Sequence, residues 1–134
     1  MHLQEFMTTR IESIDCEKSV YDAIEKMVDR RIRSLVVVFP GNETEYGVIT
    51  ARDIVFKALA QGIDLKKTKA SDIASRPLFC LDKNIGLDEM ARSMEEADVA
   101  RIFVCDGKKI IGVVSLIDLM TATLVRRARG NDLS

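Results

Sequence analysis

Two stretches of this sequence decide its fold: Gly47-Val48-Ile49-Thr50-Ala51-Arg52-Asp53 and Gly112-Val113-Val114-Ser115-Leu116-Ile117-Asp118. Each begins with a glycine, continues with two apolar residues, and then has a hydroxyl residue followed three positions later by an aspartate. This pattern predicts a strand that ends where a capped helix begins. Because the pattern occurs twice, it indicates a longer internal duplication.

The duplication extends over most of the chain. Glu5 aligns with Asp72, and without a gap the apolar run Leu35–Val38 then falls on Ile102–Cys105. The register changes once, because residues 39–46 make a longer loop than residues 106–111. Polarity and bulk recur throughout, so the sequence predicts two repeats, at residues 1–67 and 68–134.

Each repeat is predicted to have the element order β-α-β-β-α. The first helix carries apolar residues at helical spacing from Val20 and starts at Ser19, with Asp22 as its capping partner. A second helix starts at Thr50 or at Ser115, and Gly62 and Gly130 are its predicted ends. The predicted strands are, in chain order, Ile11–Ile14, Leu35–Phe39, Gly47–Thr50, Leu78–Leu81, Ile102–Cys105 and Gly112–Ser115.

The predicted fold class is therefore α/β (α+β), with both repeats in one module. One repeat is too small to bury its own sheet, so we expect the two to pack sheet against sheet around a pseudo-two-fold axis. The connection Ile63–Ala70 is short and polar, which favours close packing over independent domains.

The composition is that of an ordinary globular protein. Of 134 residues, 47% are hydrophobic and 31% charged, and 20 Lys+Arg face 21 Asp+Glu. A net charge near zero gives no general attraction for nucleic acid or an anionic membrane, so neither is an expected partner. No apolar run approaches the length of a membrane span, and the first residues lack a signal peptide's apolar core, so we expect a cytoplasmic protein.

The residues that usually carry catalysis or metal binding are sparse. The only histidine is His2, which makes a histidine-based metal site or a Ser–His or Cys–His arrangement improbable. Cys16, Cys80 and Cys105 are widely spaced without a C-x-x-C motif. We interpret them as small buried hydrophobes in a reducing compartment. No catalytic residue and no metal ligand is predicted.

The repeated hydroxyl–carboxylate pair has two interpretations. In the structural one, Thr50 with Asp53, and Ser115 with Asp118, are capping boxes. In the functional one, the helix start binds a phosphate and the carboxylate accepts the hydroxyls of a ribose. Gly47 and Gly112 either let a planar base approach the backbone or serve strand packing. Arg52 is either a phosphate ligand or a solvated helix residue.

From about Glu5 to Val125 the chain resembles a pair of cystathionine-β-synthase (CBS) domains. Two motifs, each present in both repeats, carry the resemblance: the glycine-led pattern above, and the helix-to-strand pattern Val20-x-x-Ala23-x-x-x-Met27-x-x-x-x-Ile32-x-x-Leu35. The resemblance implies a non-catalytic module that binds AMP, ADP or ATP, or sometimes S-adenosylmethionine or NAD. It also implies a homodimer that regulates a separate protein.

The resemblance also implies two ligand sites, in which the hydroxyl contacts phosphate and the aspartate contacts ribose. The first site combines Thr50 and Asp53 with Thr9, Arg10, Ile11 and Ser34. The second combines Ser115 and Asp118 with Arg76, Pro77, Leu78 and Arg101. Arg33 and Arg52 are phosphate candidates. Ile117 stands where the first repeat has Arg52, so we favour the first site for a phosphate ligand. The alternative is a structural or dimerisation module with vestigial sites.

Overall fold

The structure is a computed structural model that describes residues 5–41 and 46–128. It divides into two compact units. The first is Glu12–Leu78, and the second combines residues 5–11 with residues 79–128. The predicted helix end at Gly130 lies outside the described residues. The packing of the two sheets around a pseudo-two-fold axis stays a prediction.

In its described residues, the first unit contains one three-stranded sheet and three helical segments. The middle strand β2 pairs in parallel with β1 and antiparallel with β3. The elements are β1 Ser13–Asp15, α1 Val20–Arg30, β2 Ser34–Val38, β3 Tyr46–Thr50, α2 Ala51–Asp53 with a π-helical continuation Ile54–Leu59, and α3 Ala70–Ile73. The predicted strands are thus present, with ends shifted by one or two residues.

Helix α1 begins as the sequence predicts. The Asp22 amide donates to Ser19 Oγ at 3.0 Å, and the Ser19 amide donates to Asp22 Oδ2 at 3.3 Å. These bonds satisfy two amides that no helical carbonyl can reach. Three residues on one face of α1 are buried in the core: Val20, Ala23 and Met27.

The helix that follows β3 is less regular than predicted. Its π-helical part is marked by the Ala60 amide, which donates to the Val55 carbonyl at 2.8 Å. Ile54 and Ala58 of this segment are both buried in the core of the first unit.

The second unit repeats the same order. Its sheet has β5 in the middle, parallel to β4 and antiparallel to β6. The elements are β4 Cys80–Asp82, α4 Leu87–Ala97, β5 Arg101–Asp106, β6 Lys109–Ser115 and α5 Leu116–Ala128. Among the helices in the described part of the chain, none has the length and apolar character that crossing a membrane requires.

A short segment near the start of each predicted repeat extends the sheet of one unit at its edge. Thr8 and Val113 exchange two backbone hydrogen bonds of 2.9 Å. Ser75 and Val48 exchange two of the same length. The segment around Ser75 is therefore part of the first unit, and the predicted linker ends in α3, whose Ala70 is fully buried.

The cysteines differ from the prediction. Cys80 and Cys105 form a disulfide that joins the neighbouring strands β4 and β5. The expectation of three reduced cysteines was wrong because strand pairing brings together two residues that are 25 positions apart. Cys16 is a buried free thiol, as predicted, and its burial raises the pKa of the thiol.

Candidate functional site

The centre of the candidate site is the junction between β3 and α2. The Thr50 amide donates to Asp53 Oδ2 at 3.0 Å, and the Asp53 amide donates to Thr50 Oγ1 at 3.0 Å. The side chain of Asp53 is 16% exposed. The capping interpretation is therefore correct as a description of local structure, and it leaves the carboxylate accessible at the surface.

The second unit has the same junction between β6 and α5. The Ser115 amide donates to Asp118 Oδ2 at 2.8 Å, and the Asp118 amide donates to Ser115 Oγ at 3.3 Å. Both side chains are partly buried. The two units therefore present equivalent hydroxyl–carboxylate pairs at equivalent places in the fold.

The start of the middle strand borders each junction. Ser34 is the register partner of Thr50, and the Ala51 amide donates to the Arg33 carbonyl at 2.9 Å. In the second unit Arg101 is the register partner of Ser115. The structure thus brings Arg33 and Ser34 to the first junction and Arg101 to the second.

The two segments expected to enclose a base lie in different units. Each lies in the unit that contains the junction of the other site. Residues 76–78 follow Ser75 along the edge of β3, where the Leu78 amide donates to the Tyr46 carbonyl at 2.6 Å. Arg76, Pro77 and Leu78 therefore share a unit with Thr50. Thr9, Arg10 and Ile11 follow Thr8 and share a unit with Ser115. The expected grouping of residues 9–11 with Thr50 joins residues of different units, and it stays a prediction.

The two glycines of the repeated pattern are explained by close packing. A Cβ atom on Gly47 would lie 3.0 Å from the Ser75 carbonyl oxygen. A Cβ atom on Gly112 would lie 2.5 Å from Met7 Sδ. The edge segments thus fill the space beside both glycines, where a planar base was the alternative. The structure therefore favours strand packing as the reason for Gly47 and Gly112.

Two arginines of the first unit lie over aromatic rings. The Arg52 guanidinium carbon is 5.5 Å from the centre of the Phe56 ring, and that of Arg76 is 3.8 Å from the centre of the Phe39 ring. Arg52 is exposed beside the junction, where its counterpart Ile117 is 61% exposed. The charge difference between the junctions that the sequence predicts is therefore present at the surface.

Lys57 is a further residue of the first junction, and the sequence analysis missed it. Its Nζ lies 3.2 Å from Asp53 Oδ1 and donates to the Ile73 carbonyl at 3.3 Å. Residues four apart on a helix lie on one face, so the spacing of Asp53 and Lys57 was the available signal.

Comparison with known proteins identifies the family. The family model for the CBS domain matches residues 3–59 and 70–124, and the chain belongs to this family. It is similar to YlbB of Bacillus subtilis, with 29% identity over 98% of this chain and 88% of that protein.

Solved structures of CBS proteins share the fold. One is the hexameric CBS-CP12 protein from bloom-forming cyanobacteria, with a TM-score of 0.82 and 25% identity over 100% of this chain and 86% of that one. Another is CBSX2, solved in complex with AMP, with a TM-score of 0.73 and 23% identity over 94% of this chain and 98% of that one.

Proposed function

We propose that this chain is a non-catalytic regulatory module that binds an adenosine nucleotide, AMP, ADP or ATP, and acts on a separate protein. The observation that carries the proposal is the duplicated junction, in which Thr50 with Asp53 and Ser115 with Asp118 have the same geometry. Membership of the CBS family supports it, as does the AMP complex of CBSX2.

The roles proposed for the residues follow from their chemistry. The hydroxyls of Thr50 and Ser115 contact phosphate, and the carboxylates of Asp53 and Asp118 accept the ribose hydroxyls. Arginine forks onto phosphate oxygens, which suits Arg33 and Arg52 in the first unit. The remaining proposed contacts, chiefly to the base, are Thr9, Arg10, Ile11, Ser34, Arg76, Pro77, Leu78 and Arg101.

We further propose that the chain forms a homodimer through the helices after each junction. Both helices carry exposed apolar residues, whose exposed fractions lie between 45% and 69%. They are Val55, Phe56 and Leu59 in the first unit, and Leu116, Ile117, Met120 and Leu124 in the second. Adjacent apolar side chains at a surface are typical of interaction sites. A cytoplasmic location stays a prediction, and the Cys80–Cys105 disulfide argues against it.

Calorimetric titration and thermal denaturation with AMP, ADP, ATP, S-adenosylmethionine and NAD test the proposal. A ligand at a hundred times its Kd stabilises the folded state by about 2.7 kcal/mol, which a melting curve resolves. We expect at least one of the three nucleotides to bind and to raise the melting temperature. A chain that responds to S-adenosylmethionine or NAD alone is a sensor of a different adenosyl ligand.

One observation favours a second candidate, a structural module with vestigial sites. In both junctions the hydroxyl oxygen and one carboxylate oxygen each already accept a hydrogen bond from a backbone amide. A module of this kind needs no ligand to hold that geometry. If none of the five compounds binds or raises the melting temperature, this second candidate is correct.

A further inference from the structure

Both carboxylate oxygens of Asp53 already have partners. Oδ2 accepts the Thr50 amide at 3.0 Å, and Oδ1 lies 3.2 Å from the Lys57 ammonium. A ribose diol binds a carboxylate by donating two hydrogen bonds to it. Each carboxylate oxygen can accept about two hydrogen bonds, so a diol that donates one bond to each oxygen shares Oδ1 with the Lys57 ammonium.

Lys57 is held at this position by a second contact. Its ammonium also donates to the carbonyl of Ile73, at the end of α3, over 3.3 Å. The lysine side chain is 48% exposed, so it is fixed by its partners and not by burial. Displacement of Lys57 from Asp53 costs the ion pair and disturbs the tether to α3.

The second unit has no corresponding ion pair within its helix. The residue four positions after Asp118 is Ala122, which is fully buried and uncharged. Its neighbour Thr121 donates its hydroxyl to the carbonyl of Ile117 at 2.9 Å. Helix α5 contains no lysine at any position from Leu116 to Ala128. Asp118 therefore meets a ribose without competition from an ammonium on its own helix.

We infer that Lys57 determines ligand specificity in the first unit, an inference that rests on the proposed nucleotide binding. Competition from its ammonium suppresses binding of an unphosphorylated nucleoside at Asp53. A phosphorylated ligand offsets this competition, because the positive charge of Lys57 and that of Arg52 both attract its phosphate. The first unit thus selects nucleotides, whereas the second unit binds nucleosides and nucleotides with similar affinity. Lys57 thus acts on the ribose through Asp53 and on the phosphate through its own charge.

The test isolates the first unit in an Asp118→Ala background and measures adenosine and AMP affinities by calorimetry. Two variants separate the effect of the Lys57 charge from that of its hydrogen bond to Ile73. Lys57→Gln removes the charge and keeps a hydrogen-bond donor for the Ile73 carbonyl, whereas Lys57→Met removes both. Lys26→Met is the matched control in the same unit. Its Nζ lies 3.9 Å from Glu12 Oε1 and donates to the Ser13 carbonyl, the same pair of partner types.

Both Lys57 variants should bind adenosine about two- to fivefold more tightly, the range expected for an exposed ion pair. AMP should gain less, because the lost positive charge also attracted its phosphate. The ratio of AMP to adenosine affinity therefore falls in both variants and is unchanged in Lys26→Met. Added salt should reduce the difference between Lys57 and its variants. In an Asp53→Ala background, Lys57→Met should leave adenosine affinity unchanged and should weaken AMP binding, because only the attraction between Lys57 and the phosphate is then lost.

Unchanged or weaker adenosine binding in both Lys57 variants overturns the inference, and so does an effect in Lys57→Met without one in Lys57→Gln. These results leave the proposed function intact as long as the parent chain binds AMP. If the parent chain binds neither adenosine nor AMP, the proposed function itself is wrong. The role inferred for Lys57 in ligand specificity then fails with it.

Discussion

Thr50 and Asp53 exchange two hydrogen bonds of 3.0 Å, each from a backbone amide to the other residue's side chain. Ser19 and Asp22 make the same exchange at the start of α1, with distances of 3.0 and 3.3 Å. The first unit thus contains two capping boxes of one geometry, of which only the Thr50 box is proposed to bind a ligand. This pair allows the stability of a cap to be separated from ligand binding.

Asp53→Ala should weaken nucleotide binding more than it weakens the fold. Loss of a cap costs about 0.5–2 kcal/mol of stability. Loss of a charge-assisted bond to ribose costs about 1.5–3 kcal/mol of binding. Denaturation and calorimetric titration with AMP, in an Asp118→Ala background, measure the two effects. Asp22→Ala is the control, and it should lose similar stability while binding normally. Destabilisation of Asp53→Ala with normal binding means that the carboxylate is only a cap.

Arg52→Ala should discriminate among ligands by their phosphate content. The guanidinium can contact phosphate oxygens and has no reason to contact base or ribose. We expect weaker binding of AMP and ATP with adenosine nearly unaffected, measured by calorimetry in the same background. The reciprocal change, Ile117→Arg, should strengthen phosphate ligands in the second unit. Equal losses for adenosine and AMP would show that Arg52 serves the scaffold, for instance through its contact with Phe56.

The sequence predicted the elements whose ends are set by local chemistry, although it missed the short helix α3. Ser19 with Asp22, and Thr50 with Asp53, could be identified as caps because three residues of spacing define the motif. The π-helical segment Ile54–Leu59 could not be predicted, because periodicity over so few residues does not distinguish a π-helix from an α-helix. The Cys80–Cys105 disulfide depends on the register of β4 against β5, which no local pattern specifies.

Gly112→Ala should destabilise the chain through its contact with Met7. The added Cβ would lie 2.5 Å from Met7 Sδ, and overpacking of this kind costs about 1–3 kcal/mol. Because Met7 is flexible, the double variant Gly112→Ala/Met7→Ala should be less destabilised than the sum of the single changes. Urea denaturation of the parent, the two single variants and the double variant measures the coupling free energy between Gly112 and Met7. Additive losses would contradict the close contact.

Reduction of the Cys80–Cys105 disulfide should lower the stability of the second unit. Its two cysteines are 25 residues apart, and a loop of that length predicts a loss of about 3–4 kcal/mol. Denaturation with and without a thiol reductant measures the change. The Cys80→Ala/Cys105→Ala variant should already be destabilised and should not respond to reductant. A reductant effect of equal size in that variant would place the sensitivity elsewhere.

Leu124→Lys should dissociate the proposed homodimer. Leu124 is 69% exposed on α5, and a buried unpaired ammonium at an interface is strongly unfavourable. Val28→Lys is the control, because Val28 is 70% exposed on α1, outside the proposed interface. Sedimentation velocity should show a monomer for Leu124→Lys and a dimer for the parent and for Val28→Lys. A dimer in all three chains rules out Leu124 as an interface residue.

Only part of the candidate site could be predicted from the sequence. Some of its residues are neighbours in the sequence, whereas others are brought together only by the fold. Thr50, Arg52 and Asp53 lie within four consecutive positions, and Ser34 and Arg33 follow from the pairing of β2 with β3. The placement of Thr9, Arg10 and Ile11 depends on which sheet edge Thr8 joins, which repeat matching does not reveal. The spacing of four residues between Asp53 and Lys57 could have predicted their ion pair. The contact between Lys57 and Ile73 depends on the position of α3, which the sequence does not show.

The hydrogen bonds between Thr8 and Val113 also govern the order in which the chain can fold during synthesis. The first unit is continuous and can close once Leu78 has emerged from the ribosome. The edge segment around Thr8 must wait until β6 has been made, on the order of seconds later at ordinary translation rates. Throughout that interval the earliest part of the chain has no sheet edge to join. A ribosome that stalls after Leu78 has emerged and before β6 is made therefore displays a finished first unit with an unpaired edge segment, to which a nascent-chain chaperone has access.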